Sequence, residues 1–181
     1  MDQEDNKKNV EEKPTLEPEE AAKEEPADIK VDHVHDVYIN RKILDEIETR
    51  CKNNKYEIIG LLAGNAYKYN GKEYIIINGY LYSDLIESTP IFTQVIDGAL
   101  GEMAKRKDKE YPGSIIVGWY HSHPDLGVFL SSVDIATMKM YDKKYHVALV
   151  VDPVRDERAF FKIDDQAHYH AVSYAVLKDK K

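Results

Sequence analysis

The pattern of apolar and polar positions predicts a mixture of strands and helices from residue 34 onwards. Short apolar runs bounded by turn residues predict strands at 34–40, 57–64, 73–82, 114–122, 146–151, 157–163 and 168–177. Apolar residues at helical spacing predict helices at 41–53, 90–107 and 132–141. Consecutive strands occur beside strand–helix alternation, so we expect an α+β fold with a mixed sheet.

The run at residues 114–122 is a strongly apolar predicted strand, and we expect it to be central and buried on both faces. In a regular strand, alternate side chains share a face. That alternation predicts one face for the set Ile115, Val117, Trp119, His121 and His123.

The first 30 residues differ in composition from the rest of the chain. Residues 1–30 contain eleven Asp or Glu against five Lys, a net charge of -6 out of -8 for the whole chain, and no aromatic residue. Such a segment cannot bury enough apolar surface to offset the entropy of ordering. We therefore expect a disordered acidic tail at 1–30 and one folded domain at 31–181.

The net charge and the cysteine content reduce the classes of partner and of site that the chain could have. The net negative charge argues against nucleic acid or an anionic membrane as a general partner. Cys51 is the single cysteine, which excludes a disulfide framework and a zinc site built on cysteine pairs. With no signal peptide and no apolar run long enough to span a membrane, we expect a cytoplasmic protein.

Candidate metal ligands are concentrated between residues 118 and 134. His121 and His123 come at the end of the apolar strand, where alternate residues lie about 6–7 Å apart, a spacing suited to two ligands of one ion. Pro124 ends the strand, and Asp134 is expected in the first turn of the following helix. Two histidines and one carboxylate leave a coordination position open, as in catalytic zinc sites.

Each part of this pattern of potential ligands also has a simpler structural interpretation. Ser131 and Asp134 have the spacing of a helix cap. Histidine pairs with one residue between them also occur at His33/His35 and His168/His170. Those two pairs lack the following proline, loop and capped carboxylate, so we interpret them as ordinary strand residues.

The combined pattern H-x-H-P-x6-S-x2-D resembles that of the JAMM, or MPN+, zinc metallopeptidases, including the proteasome-lid deubiquitinase and signalosome deneddylase branches. His121, His123, Pro124, Ser131 and Asp134 fill it at full spacing, and EIIGLLAG from Glu57 resembles the family's upstream glutamate motif. The resemblance implies an MPN domain with an α/β/α-like sandwich, a curved mixed sheet and a cytidine-deaminase-like architecture. Within the family, the chain resembles a short stand-alone enzyme, as the prokaryotic relatives of those two branches are.

The resemblance also implies roles for individual residues. His121, His123 and Asp134 would bind Zn2+, Glu57 would act as general base towards the zinc-bound water, and Ser131 would stabilise the oxyanion. Phe129 lies where relatives often have an aromatic residue beside the substrate channel. The expected reaction is cleavage of the amide bond after the C-terminal glycine of ubiquitin or a ubiquitin-like protein. An MPN-domain or activating protein is a further possible partner.

Three other interpretations compete with this one. A zinc deaminase needs H-x-E followed by P-C-x-x-C, which a chain with Cys51 alone cannot supply. A metal-free MPN scaffold usually lacks one or more of the family's five site residues. All five are present in this chain, as Glu57, His121, His123, Ser131 and Asp134. A processing enzyme for a ubiquitin-like or sulfur-carrier precursor would use the same chemistry, and the sequence does not separate it from an isopeptidase.

Overall fold

A computed structural model describes residues 35–83, 92–141 and 143–178, apart from the side chains of residues 92–98 and 100. The predicted acidic tail at 1–30 and His33 lie outside these residues. The elements in chain order are β1 (Val37–Asn40), α1 (Arg41–Lys52), β2 (Ile59–Tyr69), β3 (Lys72–Tyr82), α2 (Phe92–Glu110), β4 (Ile115–Ser122), α3 (Ser132–Met138), β5 (Val147–Asp152), β6 (Glu157–Ile163), β7 (Tyr169–Val172) and β8 (Tyr174–Leu177).

The strands form one mixed sheet in the order β7-β6-β5-β4-β2-β3-β1-β8. The pairs β1/β3, β1/β8 and β4/β5 are parallel, and the other neighbours are antiparallel. Strand β4 lies between β2 and β5 and is buried from Val117 to Ser122, which confirms its predicted central place. The α+β class and the mixed sheet with flanking helices are likewise confirmed.

The predicted strand at 168–177 is two strands at opposite ends of the sheet. Strand β7 pairs with β6, whereas β8 pairs with β1, and only Ser173 separates them. Ser173 also binds Asp36, because its N–H and hydroxyl donate to Asp36 Oδ2 at 3.1 and 2.7 Å. The sheet therefore curves until its two ends meet, an outcome that apolar spacing alone could not predict.

The β2–β3 hairpin is longer than expected. Strand β2 continues to Tyr69, and the turn consists of Asn70 and Gly71, both with positive φ (47° and 82°). This is the turn chemistry that Asn-Gly supplies in two-residue hairpins.

The two faces of the sheet bury different clusters. Helix α1 covers one face through Leu44, Ile47 and Cys51. The other face packs against α2 through Ala99 and Met103, and against α3 through Met138. Among the described residues, no helix is both long and apolar enough to cross a membrane.

A bulge in β4 overturns the predicted alternation. Ile115 and Val117 contact the α1 side, whereas Trp119 contacts the α2/α3 side. The register with β2 shifts here, since Leu62 pairs with Gly118 but Ala63 pairs with Ile116. An extra residue resets the pleat, so Trp119 and the residues that follow it in alternation change face.

Gly118 makes this bulge possible. Its φ is +155°, and a Cβ added to it would lie 2.0 Å from the carbonyl oxygen of Val147 on β5. No side chain fits without separating the two strands. The bulge therefore depends on glycine at this position.

We predict that Gly118→Ala lowers the free energy of unfolding by about 1–3 kcal/mol, through backbone strain and overpacking. Gly101→Ala is the matched control, because a Cβ on this exposed helical residue would meet nothing within 4 Å. The control should gain about 0.5–1 kcal/mol from helix propensity. Urea unfolding measures both, and equal stabilities for the two variants would contradict the role of the bulge.

Candidate metal centre

Three side chains with metal-binding atoms converge at the end of β4. The Nε2 atoms of His121 and His123 lie 3.0 Å apart. The Asp134 carboxylate lies 3.4 Å from His121 Nε2 through Oδ1 and 3.7 Å from His123 Nε2 through Oδ2. All three residues are buried, with 2%, 4% and 5% of their surface exposed.

These spacings fit a single zinc ion. Zinc–nitrogen distances of about 2.0–2.1 Å in a tetrahedral site place neighbouring ligand atoms about 3.3 Å apart. The observed separations of 3.0, 3.4 and 3.7 Å lie around this value. Two imidazoles and one carboxylate are also a donor set that zinc prefers.

The ring of His123 is oriented by a backbone carbonyl. Its Nδ1 lies 3.3 Å from the carbonyl oxygen of Gly127, and a carbonyl can only accept. Nδ1 therefore carries the proton, which leaves the Nε2 lone pair directed at the cluster. Burial lowers the pKa of His123 and the neighbouring His121 lowers it further, against the opposing charges of Asp134 and Glu57.

The ring of His121 is held by stacking. It lies parallel to Trp119, with ring centroids 4.6 Å apart and planes at 16°. Trp119 is fixed in turn, because its Nε1–H donates to Met138 Sδ at 3.0 Å. His121 Nδ1 is buried and has no hydrogen-bond partner among the described residues. Packing, rather than a hydrogen bond, therefore sets this imidazole.

Asp134 is both a potential ligand and a helix cap. The Ser131 N–H donates to Asp134 Oδ2 at 2.7 Å, and the Asp134 N–H donates to Ser131 Oγ at 3.3 Å. This reciprocal pair is a capping box at the start of α3. Burial raises the pKa of Asp134, but the bonds to His121 and Ser131 outweigh it and lower the pKa to about 2. The carboxylate is therefore ionised at neutral pH.

Glu57 precedes β2, opposite the second histidine. Ile59 pairs with His121, so continuing the antiparallel register by two residues places Glu57 opposite His123. Ile59 packs on the α2/α3 side, and Glu57, two residues earlier, belongs to the same face. Its charge acts on His123. Among the described residues, His121, His123 and Asp134 form the only group of three or more His, Cys, Asp or Glu side chains whose ligand atoms all lie within 4.8 Å of one another, and Glu57 is outside it.

The sequence analysis did not identify Ser122 as a functional residue, yet Ser122 fixes the segment that connects Glu57 to β2. It is fully buried, its Oγ accepts from the Ile58 N–H at 3.0 Å, and its own N–H donates to the Ile58 carbonyl at 3.0 Å. A serine inside an otherwise apolar strand is the signal that could have identified it.

Of the other candidate residues from the sequence, one lies beside the histidine cluster and two lie outside it. Phe129 lies at the rim, 37% exposed, with its ring centroid 4.8 Å from that of His123. His168 and His170 are exposed, and His168 contacts Asp164 at 3.4 Å. Neither belongs to a group of potential metal ligands within the described ranges.

Comparison with known proteins identifies the family. A family model described as JAB1/Mov34/MPN/PAD-1 ubiquitin protease matches residues 32–146, which include Glu57 and the three clustered side chains. The chain belongs to the JAB/MPN family. This confirms the resemblance found in the sequence.

Members of the family from fungi share part of this sequence. The chain is 30% identical over 110 residues to the 26S proteasome regulatory subunit RPN11 of Candida glabrata and to the ubiquitin carboxyl-terminal hydrolase RPN11 of Saccharomyces cerevisiae. Each alignment covers 60% of this chain and 35% of the relative. The chain thus spans about a third of the length of these curated relatives.

A solved structure supports the fold alone. The solution structure of protein DSY2949 from Desulfitobacterium hafniense superposes with a TM-score of 0.57 at 17% identity. The match covers 79% of this chain and 94% of that chain. The same overall fold therefore occurs in a chain that this one matches over nearly its full length.

We predict that Ser131→Ala keeps zinc while costing about 1 kcal/mol of stability through the lost cap. Zinc is retained because the 2.7 Å bond to the Asp134 carboxylate comes from the Ser131 backbone N–H, which alanine also has. Metal analysis and urea unfolding measure the two effects. Complete loss of zinc from a folded Ser131→Ala protein would contradict this division of roles.

Proposed function

We propose that this chain is a zinc-dependent peptidase that cleaves the amide bond after the C-terminal glycine of ubiquitin or a ubiquitin-like protein. The observation that carries the proposal is the convergence of two imidazole Nε2 atoms and one carboxylate, with the charge of Glu57 acting on His123. The curated relatives named above include a ubiquitin carboxyl-terminal hydrolase. Because the chain covers only part of those relatives, the substrate and activity are proposed for this chain.

His121, His123 and Asp134 are the residues that would hold the metal. Zinc bound there would acidify a coordinated water and polarise the carbonyl of the scissile amide. Three protein ligands leave one position for these groups, which distinguishes a catalytic site from a closed structural one. The buried side chains keep the ligands in fixed positions.

Glu57 is the proposed general base. Its charge acts on His123, and it lies outside the group of three potential ligands, so its carboxylate is available to take and return a proton. The returned proton goes to the departing amine, which leaves as a neutral group. No covalent intermediate is required, and the buried thiol of Cys51, whose pKa burial raises to about 12, has no nucleophilic part.

Ser131 is the proposed oxyanion donor. Its Oγ accepts from the Asp134 N–H, which leaves the hydroxyl hydrogen to be donated to the developing negative charge. Ser131 is only partly buried, so a substrate can reach it. Capping and catalysis are compatible because they use different atoms of this residue.

Phe129 is proposed to contact the extended C-terminal tail of the substrate. It is partly exposed and its ring lies beside that of His123. An apolar contact of this kind adds binding energy without affecting the chemical step. Phe129→Ala should therefore raise KM several-fold with little change in kcat, whereas an unchanged KM would remove Phe129 from the substrate site.

The alternative substrates are a ubiquitin-like precursor or a sulfur-carrier protein, cleaved at a linear peptide bond. A panel of a linear ubiquitin fusion, an isopeptide-linked di-ubiquitin and a ubiquitin-like precursor distinguishes these activities. A non-catalytic scaffold would cleave none of them. A cytoplasmic location and an MPN-domain partner stay predictions.

We predict that Glu57→Gln keeps zinc and lowers kcat/KM by about 10²–10⁴-fold, because the amide cannot take the proton. Glu73→Gln is the matched control, since Glu73 is exposed on β3. Steady-state cleavage of the best substrate in the panel, with metal analysis of both variants, is the measurement. Full activity in Glu57→Gln would exclude Glu57 as the base.

A further inference from the structure

The loop between the two halves of the metal centre is tied to a buried carboxylate outside it. Asp152 ends β5 and its side chain is fully buried. Its Oδ1 accepts N–H groups from Asp125 at 3.1 Å, Val154 at 3.0 Å and Arg155 at 3.1 Å. Its Oδ2 accepts the Gly127 N–H at 2.7 Å.

Four backbone donors explain how a carboxylate is tolerated there. Burial raises the pKa of Asp152, but the N–H groups outweigh it and bring the pKa down to about 2. Two of the donors belong to the turn after β5, and the other two, from Asp125 and Gly127, belong to the loop after Pro124. Asp152 therefore joins two loops that are about 25 residues apart in the chain.

Gly127 connects this carboxylate to the metal centre. It donates its N–H to Asp152, and its carbonyl accepts from His123 Nδ1. Its φ of +83° is a conformation that glycine adopts without strain. The path from Asp152 to the His123 ring therefore passes through one residue.

Other hydrogen bonds hold the same loop, but we expect them to contribute less to its position. Arg155 donates to the Asp125 side chain at 3.1 Å and to the Asp125 carbonyl at 2.8 Å. Its side chain is 48% exposed, and exposed ion pairs contribute little. The buried bond from Gly127 to Asp152 is the shortest of the contacts that fix the Gly127 peptide.

We propose that Asp152 is a positioning residue of the metal centre, holding Gly127 so that its carbonyl keeps His123 in the Nδ1-protonated tautomer with Nε2 directed at the metal. This proposal rests on the zinc site proposed above. The hydrogen bonds of the Asp152 carboxylate go to backbone N–H groups outside the ligand set. Asp152 acts through the loop.

The test compares Asp152→Asn with Asp156→Asn. The first variant keeps one acceptor oxygen and replaces the other with an NH2 group. In the orientation that keeps the three bonds to Oδ1, the NH2 faces the Gly127 N–H, which loses its partner. Asp156 is an exposed residue of the same turn with positive φ (55°), a conformation that asparagine tolerates. The control therefore changes the same residue type by the same chemistry, away from Gly127.

Two readouts are measured. Zinc affinity, by competition with a chelator, should fall about 10- to 100-fold in Asp152→Asn and stay unchanged in Asp156→Asn. The ring 15N shifts of His123 in metal-free protein at pH 8 should show the Nδ1–H tautomer in wild type and a mixture in Asp152→Asn. The tautomer is informative even if wild type binds no zinc, so failure of the proposed function and failure of this inference are distinguishable.

A second variant covers the case in which Asp152→Asn does not fold. Gly127→Ala leaves Asp152 intact and strains the loop, and its Cβ would meet only the Arg155 guanidinium, at 3.4 Å, and the Glu157 carboxylate, at 3.8 Å. It should produce the same loss of zinc affinity and the same tautomer mixture. Wild-type zinc affinity and tautomer in the folded variants, with only the unfolding midpoint lowered, would show a purely structural role and overturn the proposal.

Discussion

The candidate metal centre depends on a backbone irregularity, the bulge at Gly118. Without it, strict alternation would place His121 and His123 on the same face as Val117, which packs on the α1 side. With it, both histidines lie on the face covered by α2 and α3, where Asp134 lies in the first turn of α3. The close approach of Gly118 to the Val147 carbonyl permits this exchange of faces. One glycine therefore determines which side of the sheet carries the site.

Each of the three potential ligands is oriented by a different kind of contact. A carbonyl orients His123, an indole orients His121, and a capping box orients Asp134. Helix α3 contributes two of the residues involved. Asp134 lies near its start, and Met138, whose Sδ accepts the Trp119 Nε1–H, lies at its end. Fixed ligands of this kind favour metal binding because little conformational entropy is lost when the ion arrives.

Much of this arrangement could be predicted from the sequence, and the exceptions have physical causes. The apolar run before His121 predicted a central strand, and the spacing of His121, His123 and Asp134 predicted a cluster, which the structure forms. The bulge was missed because periodicity assumes a regular pleat. The division at Ser173 was missed because pairing at the two ends of the sheet is a long-range property. Asp152 was missed because its partners are backbone groups distant in sequence.

The metal content of the purified chain after zinc loading tests the proposed zinc site most directly, measured by mass spectrometry for wild type and Asp134→Ala. We expect about one zinc per wild-type chain and loss of that zinc in the folded variant, because removal of one of three protein ligands leaves too few to hold the ion tightly. Absence of zinc from wild type, or equal zinc in both proteins, would contradict a site formed by His121, His123 and Asp134.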